Sequence, residues 1–301
     1  MKAVQFSEYG DPGVLHVADV EEPHAGAGQI RVAVQGAGVN PFDWKLRSGA
    51  MQQAMPLDLP KIPGSDVAGI VDEVGEGVAG VAVGDEVFGS AVGGGAAQYA
   101  VVEHYAAKPA DLPWAEAAGL PGAVETTART FDLLGLEAGQ TVLVNGAAGG
   151  VGIAAVQFAR ARGAHVVGTA SEGNHEFLRS LGAEPTTYGD GLVKRVRELC
   201  PDGVDRALDT AGRGALADLI EITGSPDHVV TIADFSAAEF GVRITTGAEG
   251  RSWEALDEAA RLYESGKLTM PVKTFTFEQA AEAHRLSEEG HVRGKLVLIP
   301  A

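Results

Sequence analysis

The sequence contains a single cysteine, Cys200, in 301 residues. One thiol cannot form an internal disulfide or a zinc site built on several thiolates, and it fits a reducing compartment. Basic residues are also few, because 23 Lys and Arg stand against 41 Asp and Glu for a net charge of −18. Without a local basic cluster, a chain this acidic is not expected to bind nucleic acid or an anionic membrane surface.

Long apolar runs are absent as well. No stretch of about 18 uninterrupted apolar residues occurs, and the first residues lack the apolar core and small-residue cleavage site of a signal peptide. We therefore expect a cytoplasmic protein that does not enter a membrane. The length is sufficient for two domains of ordinary size.

Short strands separated by turns dominate the first third of the chain. Residues 29–34 alternate polar and apolar side chains at period two, which is typical of a half-buried strand. Three further apolar runs, bounded by glycine or turn residues, cover 67–75, 84–89 and 97–102. This pattern predicts an all-β module, in the form of a small barrel.

Strands alternate with helices beyond residue 112. The predicted strands are 141–145, 165–169, 204–209 and 228–232, and the predicted helices are 113–118, 151–162, 176–181, 215–222 and 252–264. Strands spaced by helices indicate a parallel, doubly wound sheet. A short helix over 278–287 and a strand over 295–299 then return to the character of the β module, so we predict that the α/β segment is inserted into it.

The strongest local motif is a glycine-rich loop between the predicted strand 141–145 and the predicted helix 151–162. Its residues are Gly146, Ala147, Ala148, Gly149, Gly150, Val151 and Gly152. Glycine there permits a tight turn and lets backbone N–H groups approach a pyrophosphate, whose charge the helix N-terminus stabilises. A plain tight turn needs similar residues, but the position between strand and helix favours a dinucleotide-binding loop.

The end of the next predicted strand bears on the choice of cofactor. An NAD-specific site places an Asp or Glu there to bind the adenosine ribose. This sequence instead has Thr169, Ala170 and Ser171, which are small and neutral and leave room for a 2′-phosphate. We therefore expect NADPH, bound near Thr169 and Ser171 with His175 and Tyr188 as neighbours. The alternative is that these are loop residues without a ligand.

Five segments of the sequence together resemble one protein family. They are residues 38–49 (GVNPFDWKLRSG), 63–69 (PGSDVAG), 84–89 (GDEVFG), the glycine-rich loop 146–152 and residues 294–298 (GKLVL). In this order, and over nearly the whole chain, they are similar to the zinc-independent quinone oxidoreductase branch of the medium-chain dehydrogenase/reductase superfamily. The resemblance implies an α/β protein in which a GroES-like β-barrel substrate domain, residues 1–120 and 266–301, is interrupted by a Rossmann domain with a doubly wound parallel sheet, residues 121–265. It also implies NADPH as the hydride donor and a homodimer.

The same resemblance bears on metal binding. Relatives that are alcohol dehydrogenases bind zinc with Cys, His and Glu, and the corresponding positions here are Asn40, Ser65 and Asp66. An amide and a hydroxyl are poor zinc ligands, so we expect no metal. Alcohol oxidation then lacks the Lewis acid that lowers the hydroxyl pKa, whereas an acceptor that is already electrophilic does not need it. A small-molecule quinone or α,β-unsaturated carbonyl compound is such an acceptor.

The resemblance also places the segment from Asn40 to Lys45 at the active site. Asn40 is suited to hydrogen-bond a carbonyl oxygen or the nicotinamide ribose. Lys45 could stabilise the oxyanion formed on hydride arrival or deliver a proton through water, and a solvated surface lysine is the alternative. Many quinone reductases carry Tyr at this position, whereas alkenal and enone reductases share the Asn-Pro-x-Asp-x-Lys pattern. Asp43 is the third catalytic candidate, with capping of the loop as its alternative role.

Three further cofactor contacts follow from the resemblance. Thr127 corresponds to a position that flanks the nicotinamide, and Ile232 and Ala233 end a strand whose backbone groups face the carboxamide. The expected function is zinc-independent, NADPH-dependent reduction of a quinone. The alternatives are an NADPH-dependent alkenal or enone reductase of a C=C bond, and an NADPH-binding sensor or structural protein with little turnover.

Overall fold

The computed structural model describes residues 1–248 and 250–300, which form two compact units. The first unit is Met1–Gly122 together with the segment that begins at Leu256, and the second is Ala123–Ala255. The chain therefore leaves the first unit once and returns to it at Leu256, earlier than the residue 266 expected from the sequence. The helix Ala255–Glu264, apart from its first residue, belongs with the first unit. Its Tyr263 hydroxyl donates to the carbonyl of Asp111 in that unit at 2.9 Å.

The secondary structure is as follows. The strands are β1 (Lys2–Gln5), β2 (His16–Asp19), β3 (Ile30–Val39), β4 (Asp66–Val74), β5 (Glu86–Val92), β6 (Tyr99–Ala107), β7 (Thr141–Asn145), β8 (His165–Thr169), β9 (Glu184–Thr186), β10 (Arg206–Asp209), β11 (Val229–Thr231), β12 (Arg243–Ile244), β13 (Val272–Thr276) and β14 (Lys295–Ile299). The α-helices are α1 (Pro41–Arg47), α2 (Trp114–Gly119), α3 (Pro121–Leu134), α4 (Gly150–Ala161), α5 (His175–Ser180), α6 (Leu192–Leu199), α7 (Leu216–Thr223), α8 (Ala255–Glu264) and α9 (Ala280–Glu289). Within the described part of the chain, no helix is long and apolar enough to cross a membrane.

The first unit is built around a closed, mostly antiparallel sheet. Its strand order is β13-β14-β3-β4-β5-β6, and β3 also pairs with β6, which closes four strands into a barrel. Along β3 the side chains of Ile30, Val32 and Val34 are buried in alternation with more exposed neighbours, as the period-two pattern predicts. Strand β14 joins the barrel from the far end of the chain, so the first unit needs both termini.

The second unit is a six-stranded sheet in which every pairing is parallel. The order is β12-β11-β10-β7-β8-β9, the doubly wound arrangement of a Rossmann fold. The central strand β7 carries three fully buried residues in a row, Val142, Leu143 and Val144, as expected for a strand covered on both faces. The expected α/β class and the GroES-like and Rossmann architecture are confirmed. Strand order reverses between β7 and β10, which is where ligands bind in open sheets of this kind.

Candidate functional site

Four neighbouring strands of the parallel sheet end in polar side chains that hydrogen-bond to one another. Thr169 on β8 donates to Oδ1 of Asn145 on β7 at 2.6 Å, and Nδ2 of Asn145 donates to Oδ1 of Asp209 on β10 at 2.8 Å. From the other side, Thr231 on β11 donates to Oδ2 of Asp209 at 2.7 Å. All four side chains are buried. This polar row, residues 145, 169, 209 and 231, follows the carboxyl edge of the sheet.

The polar row holds the backbone of the loops at that edge. Oγ1 of Thr169 accepts the N–H of Gly146 at 3.0 Å, and Oδ1 of Asp209 accepts the N–H of Gly212 at 2.9 Å. The Thr231 hydroxyl, at the end of β11, accepts the N–H of Ala233 at 3.1 Å. Thr169 was expected beside the 2′-phosphate, but it is fully buried and its hydroxyl is used for the loop. The structure therefore shows that the Thr169 hydroxyl holds the loop, and its contact with the cofactor stays a prediction.

The glycine-rich loop is as tight as its sequence predicts. Gly146 has φ +81°, and a Cβ there would lie 2.7 Å from Oγ1 of Thr210. A Cβ on Gly152 would lie 2.2 Å from the carbonyl oxygen of Gly146, so a side chain is excluded at both positions. Gly149 is the N-cap of α4, and the N–H groups of the first turn of a helix have no partner within it. These donors and the loop fit a pyrophosphate group.

Helix α3 supports the start of α4 from its own side. The hydroxyl of Thr127 is fully buried and lies 3.4 Å from the carbonyl oxygen of Val151, which it can donate to. Glu125, two residues earlier, is also fully buried and accepts from Nε of Arg129 at 2.8 Å and from Arg251 at 3.1 Å. This carboxylate ties α3 to the loop that follows β12. The Thr127 hydroxyl therefore contacts the backbone of the glycine-rich loop at Val151. Ile232 and Ala233 directly follow β11 at the carboxyl edge of the sheet.

The residues expected near a 2′-phosphate follow two adjacent strands. Ser171 comes after β8 and is exposed, and Tyr188 comes after β9 and is about half exposed. Strands β8 and β9 pair with Thr169 opposite Thr186, so both residues follow the same edge of the sheet. His175 lies nearby in sequence, with Nε2 3.3 Å from the carbonyl oxygen of Ala170.

A cation that the sequence analysis missed lies beside Tyr188. The guanidinium of Arg195, on α6, donates to the carbonyl oxygens of Asp190 at 2.7 Å and Thr187 at 2.9 Å. Its Nε is buried and has no partner among residues 1–248 and 250–300. Arg195 lies seven positions after Tyr188 and contacts the backbone of residues 187–190, so a search of the residues that follow Tyr188 could have found it. The apolar period of residues 192–199 could have revealed the helix that carries it.

In the first unit, the candidate residues Asn40 and Asp43 begin helix α1. Oδ2 of Asp43 accepts the backbone N–H of Asn40 at 2.7 Å, which is one half of a capping box. Burial raises the pKa of Asp43 to about 7, and the neighbouring Asp66 carboxylate acts in the same direction. The contact supports the capping role that the sequence analysis left open for Asp43.

The Asn40 side chain is held by two buried charged groups. Nδ2 of Asn40 donates to Oδ2 of Asp66 at 2.9 Å, while Nζ of Lys295 donates both to Oδ1 of Asn40 and, at 3.0 Å, to Oδ2 of Asp66. The other carboxylate oxygen of Asp66 accepts the backbone N–H of Gly122 at 3.0 Å. Lys295 was seen in the sequence only as part of a closing strand, since nothing local connects it to a residue 255 positions away.

Lys45 lies on the same short helix. It is half-buried, burial lowers its pKa, and Nζ lies 5.8 Å from the centroid of the Trp44 ring. Phe42 is three residues earlier, so it shares a face of α1 with Lys45, and it is 41% exposed. This face offers an apolar ring and an ammonium group of reduced basicity.

A zinc ion does not fit the Asn40 side chain and its neighbours. Oδ1 of Asn40 and Oδ2 of Asp66, the two oxygens that could face a metal, both accept hydrogen bonds from the Lys295 ammonium. That ammonium supplies the positive charge a metal would supply, and a second cation beside it would be repelled. No group of three or more His, Cys, Asp or Glu residues able to hold a metal occurs in the described ranges.

Comparison with known proteins places this geometry in a family. The family model "Alcohol dehydrogenase GroES-like domain" matches residues 26–128, and "Zinc-binding dehydrogenase" matches residues 181–298. A 2-methylene-furan-3-one reductase from Solanum lycopersicum is 34% identical over 321 aligned positions, which cover 100% of this chain and 79% of the relative. The chain belongs to the medium-chain dehydrogenase/reductase superfamily. The family expected from the sequence is thus confirmed.

Two further proteins describe the range of activities among its relatives. An NADPH-dependent alkenal/one oxidoreductase from Arabidopsis thaliana is 33% identical, over 100% of this chain and 80% of the relative. The solved structure of a quinone oxidoreductase from Coxiella burnetii is 30% identical with a TM-score of 0.84, over 99% of each chain. Members of this superfamily similar to the present chain therefore include both enone and quinone reductases.

Proposed function

We propose that the protein is an NADPH-dependent reductase that transfers hydride to a conjugated carbonyl compound, either an enone or alkenal at its β-carbon or a quinone. The observation that carries the proposal is the segment from Asn40 to Lys45. It presents a hydrogen-bond donor and a half-buried ammonium where a metal does not fit, which suits an acceptor that is already electrophilic.

NADPH fits the second unit. The loop from Gly146 to Gly152 and the first turn of α4 would hold the pyrophosphate, and Ser171 and Tyr188 would face the 2′-phosphate. The cation of Arg195 favours a phosphate over a free hydroxyl on that side. Thr127, Ile232 and Ala233 remain the proposed neighbours of the nicotinamide. When bound, NADPH supplies the hydride.

The chain's own residues then manage charge and protons. An N–H of Asn40 donates to the carbonyl oxygen of the acceptor, which gains negative charge as the β-carbon accepts hydride. The Lys45 ammonium stabilises that oxyanion and gives a proton, directly or through water, to the resulting enolate or quinol. Its lowered pKa makes it a stronger acid than an exposed lysine. Addition of one hydride and one proton balances the reaction, and no metal takes part.

Between the two acceptors, the enone or alkenal is favoured. The Asn-Pro-x-Asp-x-Lys pattern from Asn40 to Lys45 is the one expected of alkenal and enone reductases. Two of the relatives reported above, which are 34% and 33% identical, carry names of that class. A quinone reductase is the second candidate, supported by the solved quinone oxidoreductase.

Initial rates of NADPH oxidation test the proposal, with NADH as the control nucleotide. Two acceptors are compared, a short 2-alkenal and a simple benzoquinone, and the alkenal product is analysed for loss of its C=C bond. Faster turnover of the alkenal supports the enone reductase, and faster turnover of the quinone supports the second candidate. If NADPH binds but neither acceptor consumes it, the protein is a binding protein and the proposal is wrong.

Lys45→Met tests the proposed proton and charge role. We expect kcat to fall by about 10²- to 10³-fold with NADPH affinity unchanged, since one transition-state stabiliser is removed. Lys267→Met, at an exposed lysine, is the matched control and should retain the wild-type rate. We also propose that the protein acts as a homodimer, which light scattering after gel filtration would test.

A further inference from the structure

An asparagine amide has nearly the same shape in its two flipped orientations, but their hydrogen-bonding properties are opposite. One side carries an acceptor oxygen and the other carries two N–H donors. For Asn40 the neighbours decide between the two. Lys295 has only donors and lies at Oδ1, whereas the Asp66 carboxylate has only acceptors and lies at Nδ2.

Burial increases the preference for one orientation of the Asn40 amide over the other. The side chains of Lys295 and Asp66 are 6% and 2% exposed, so charge interactions between them and the amide are weakly screened. A flipped Asn40 would place its NH₂ group against the ammonium and its oxygen against the carboxylate. Asp66 itself is fixed by the backbone N–H of Gly122, so it cannot turn to follow a flipped amide without losing that bond.

We propose that Lys295 is a positioning residue that fixes the Asn40 amide with one N–H available to the acceptor's carbonyl oxygen. This rests on the proposed function of Asn40. One N–H of Nδ2 donates to Asp66, and the second has no partner in the described part of the chain. The Lys295 ammonium holds the same residues that would surround a metal in a zinc-dependent relative, but it acts through Asn40 and not on the acceptor.

The competing explanation is that the Lys295–Asp66 pair only stabilises the barrel. The pair joins β14 to β4, which both border β3, so a purely structural role is reasonable. The two explanations differ in one respect. If Lys295 is only structural, its removal lowers the stability of the fold whatever residue stands at position 40. If Lys295 positions the amide, its removal lowers kcat only when Asn40 is present.

A double-mutant cycle on the full-length protein separates them. The variants are Lys295→Met, Asn40→Ala and the double variant, and Lys273→Met is the control, because Lys273 is exposed on the adjacent strand β13. We expect K295M to lower kcat for the 2-alkenal by about 10- to 100-fold while the Kd for NADPH stays within about twofold. N40A should lower kcat similarly, and K295M should have no further effect in the N40A background. K273M should match the wild type.

Two results would overturn the proposal. One is a folded K295M protein with wild-type kcat, and the other is an equal fall in kcat from K295M with and without Asn40. Because K295M leaves the Asp66 carboxylate buried without its ammonium, the pair K295M/D66N is made as well, which removes both charges together. If K295M does not fold, the same cycle is run with this pair, and wild-type kcat in the folded pair would also overturn the proposal.

A spectroscopic measurement keeps this test independent of turnover. The side-chain NH₂ resonances of Asn40, identified by their loss in N40A, are followed in ¹⁵N–¹H spectra of the free protein. We expect the N–H that donates to Asp66 to exchange slowly with solvent in the wild type and at least about tenfold faster in K295M. If the wild type reduces neither acceptor, the proposed function has failed, and unchanged exchange in K295M would separately refute the positioning role.

Discussion

Replacing His284 with Gln is expected to remove a pH dependence of folding stability that the structure assigns to this residue. His284 lies on α9 and is 1% exposed, and its Nδ1 has no partner among residues 1–248 and 250–300. Burial lowers its pKa to about 4, and the positive charge of the buried Arg47 acts in the same direction. Arg47 is itself paired with Glu288 at 2.9 Å.

The size of this effect on the free energy of unfolding follows from the difference in the pKa of His284 between the folded and the unfolded chain. His284 titrates near 6.5 when unfolded and near 4 when folded, a difference of about 2.5 pH units, or about 3 kcal/mol at 1.36 kcal/mol per unit. Between these values the unfolded chain binds the proton and the folded protein does not. The stability contributed by neutral His284 is therefore complete above pH 6.5 and is lost as the pH falls towards 4.

Asp43 contributes with the opposite sign, so the wild-type curve alone is not informative. Its pKa is about 7 in the folded protein against 3.8 for the free group. The protonated carboxyl therefore contributes about 4 kcal/mol of stability below pH 4, and this contribution is lost as the pH rises to 7. Between pH 4 and 6.5 the two slopes nearly cancel. The useful quantity is the difference in unfolding free energy between the wild type and each variant at the same pH.

Urea unfolding followed by circular dichroism at half-unit steps from pH 4 to 7.5 measures that difference. Wild type minus H284Q should fall by about 3 kcal/mol between pH 6.5 and 4. Wild type minus D43N should change in the reverse direction over pH 4 to 7. A difference curve for H284Q that stays flat within about 0.5 kcal/mol would refute the reasoning, since His284 would then titrate alike in the folded and unfolded chain.

Three further predictions concern cofactor binding, the stability of the polar row and metal content. Gly152→Ala should weaken NADPH binding at least about tenfold, because the new Cβ meets the Gly146 carbonyl. Lys267→Met, at an exposed lysine outside the proposed cofactor site, should not weaken it, and equal affinities of G152A and the wild type by fluorescence titration would contradict the prediction. Asp209→Asn should lower the free energy of unfolding by about 1–3 kcal/mol, because every neighbour of that carboxylate is a donor, and an unchanged urea midpoint would argue against the polar row. Dialysis against a chelator should leave the rate of NADPH oxidation unchanged, and loss of activity that zinc restores would show that Lys295 does not replace a metal.

Much of the fold could be predicted because its pattern is local. Strands β7, β8 and β14 lie at the predicted bounds, since continuous apolar runs between turn residues leave little choice. Helix α4 begins one residue before the prediction, where the glycines end the turn. Helix α6 was not predicted, although Leu192, Val196 and Leu199 recur at helical spacing, because the sequence analysis did not examine a segment in which four of eight residues are charged.

The residues of the candidate site likewise divide into those that the sequence could indicate and those that only the structure shows. Asn40 and Asp43 were selected because a contiguous segment carries the family resemblance, and the glycine-rich loop because its own pattern is local. Lys295 could not be selected, because only tertiary structure brings it to Asn40, 255 positions away. Arg195 donates to the preceding loop, residues 187–190, so a search of the residues after Tyr188 could have found it. Asp209 is intermediate, since a carboxylate at the end of a predicted strand is a visible signal that the sequence analysis did not use.

In the proposed mechanism an ammonium group, rather than a metal, lies beside Asn40 and Asp66, which bears on the class of substrate that the site can turn over. A metal accepts electron pairs, so it binds an alcohol oxygen and lowers the pKa of the hydroxyl, which assists oxidation. An ammonium only donates hydrogen bonds, and here its donors are directed to Asn40 and Asp66. The remaining N–H of Asn40 favours a carbonyl oxygen that becomes more negative during reduction. In the proposed reaction the Asn40 N–H therefore stabilises the oxyanion formed by hydride addition to a conjugated carbonyl, and neither it nor the Lys295 ammonium replaces the Lewis acid that assists the oxidation of a simple alcohol. A short primary alcohol offered with NADP⁺ should accordingly be turned over at least about 10²-fold more slowly than the 2-alkenal is reduced, and comparable rates would contradict the proposed preference for conjugated acceptors.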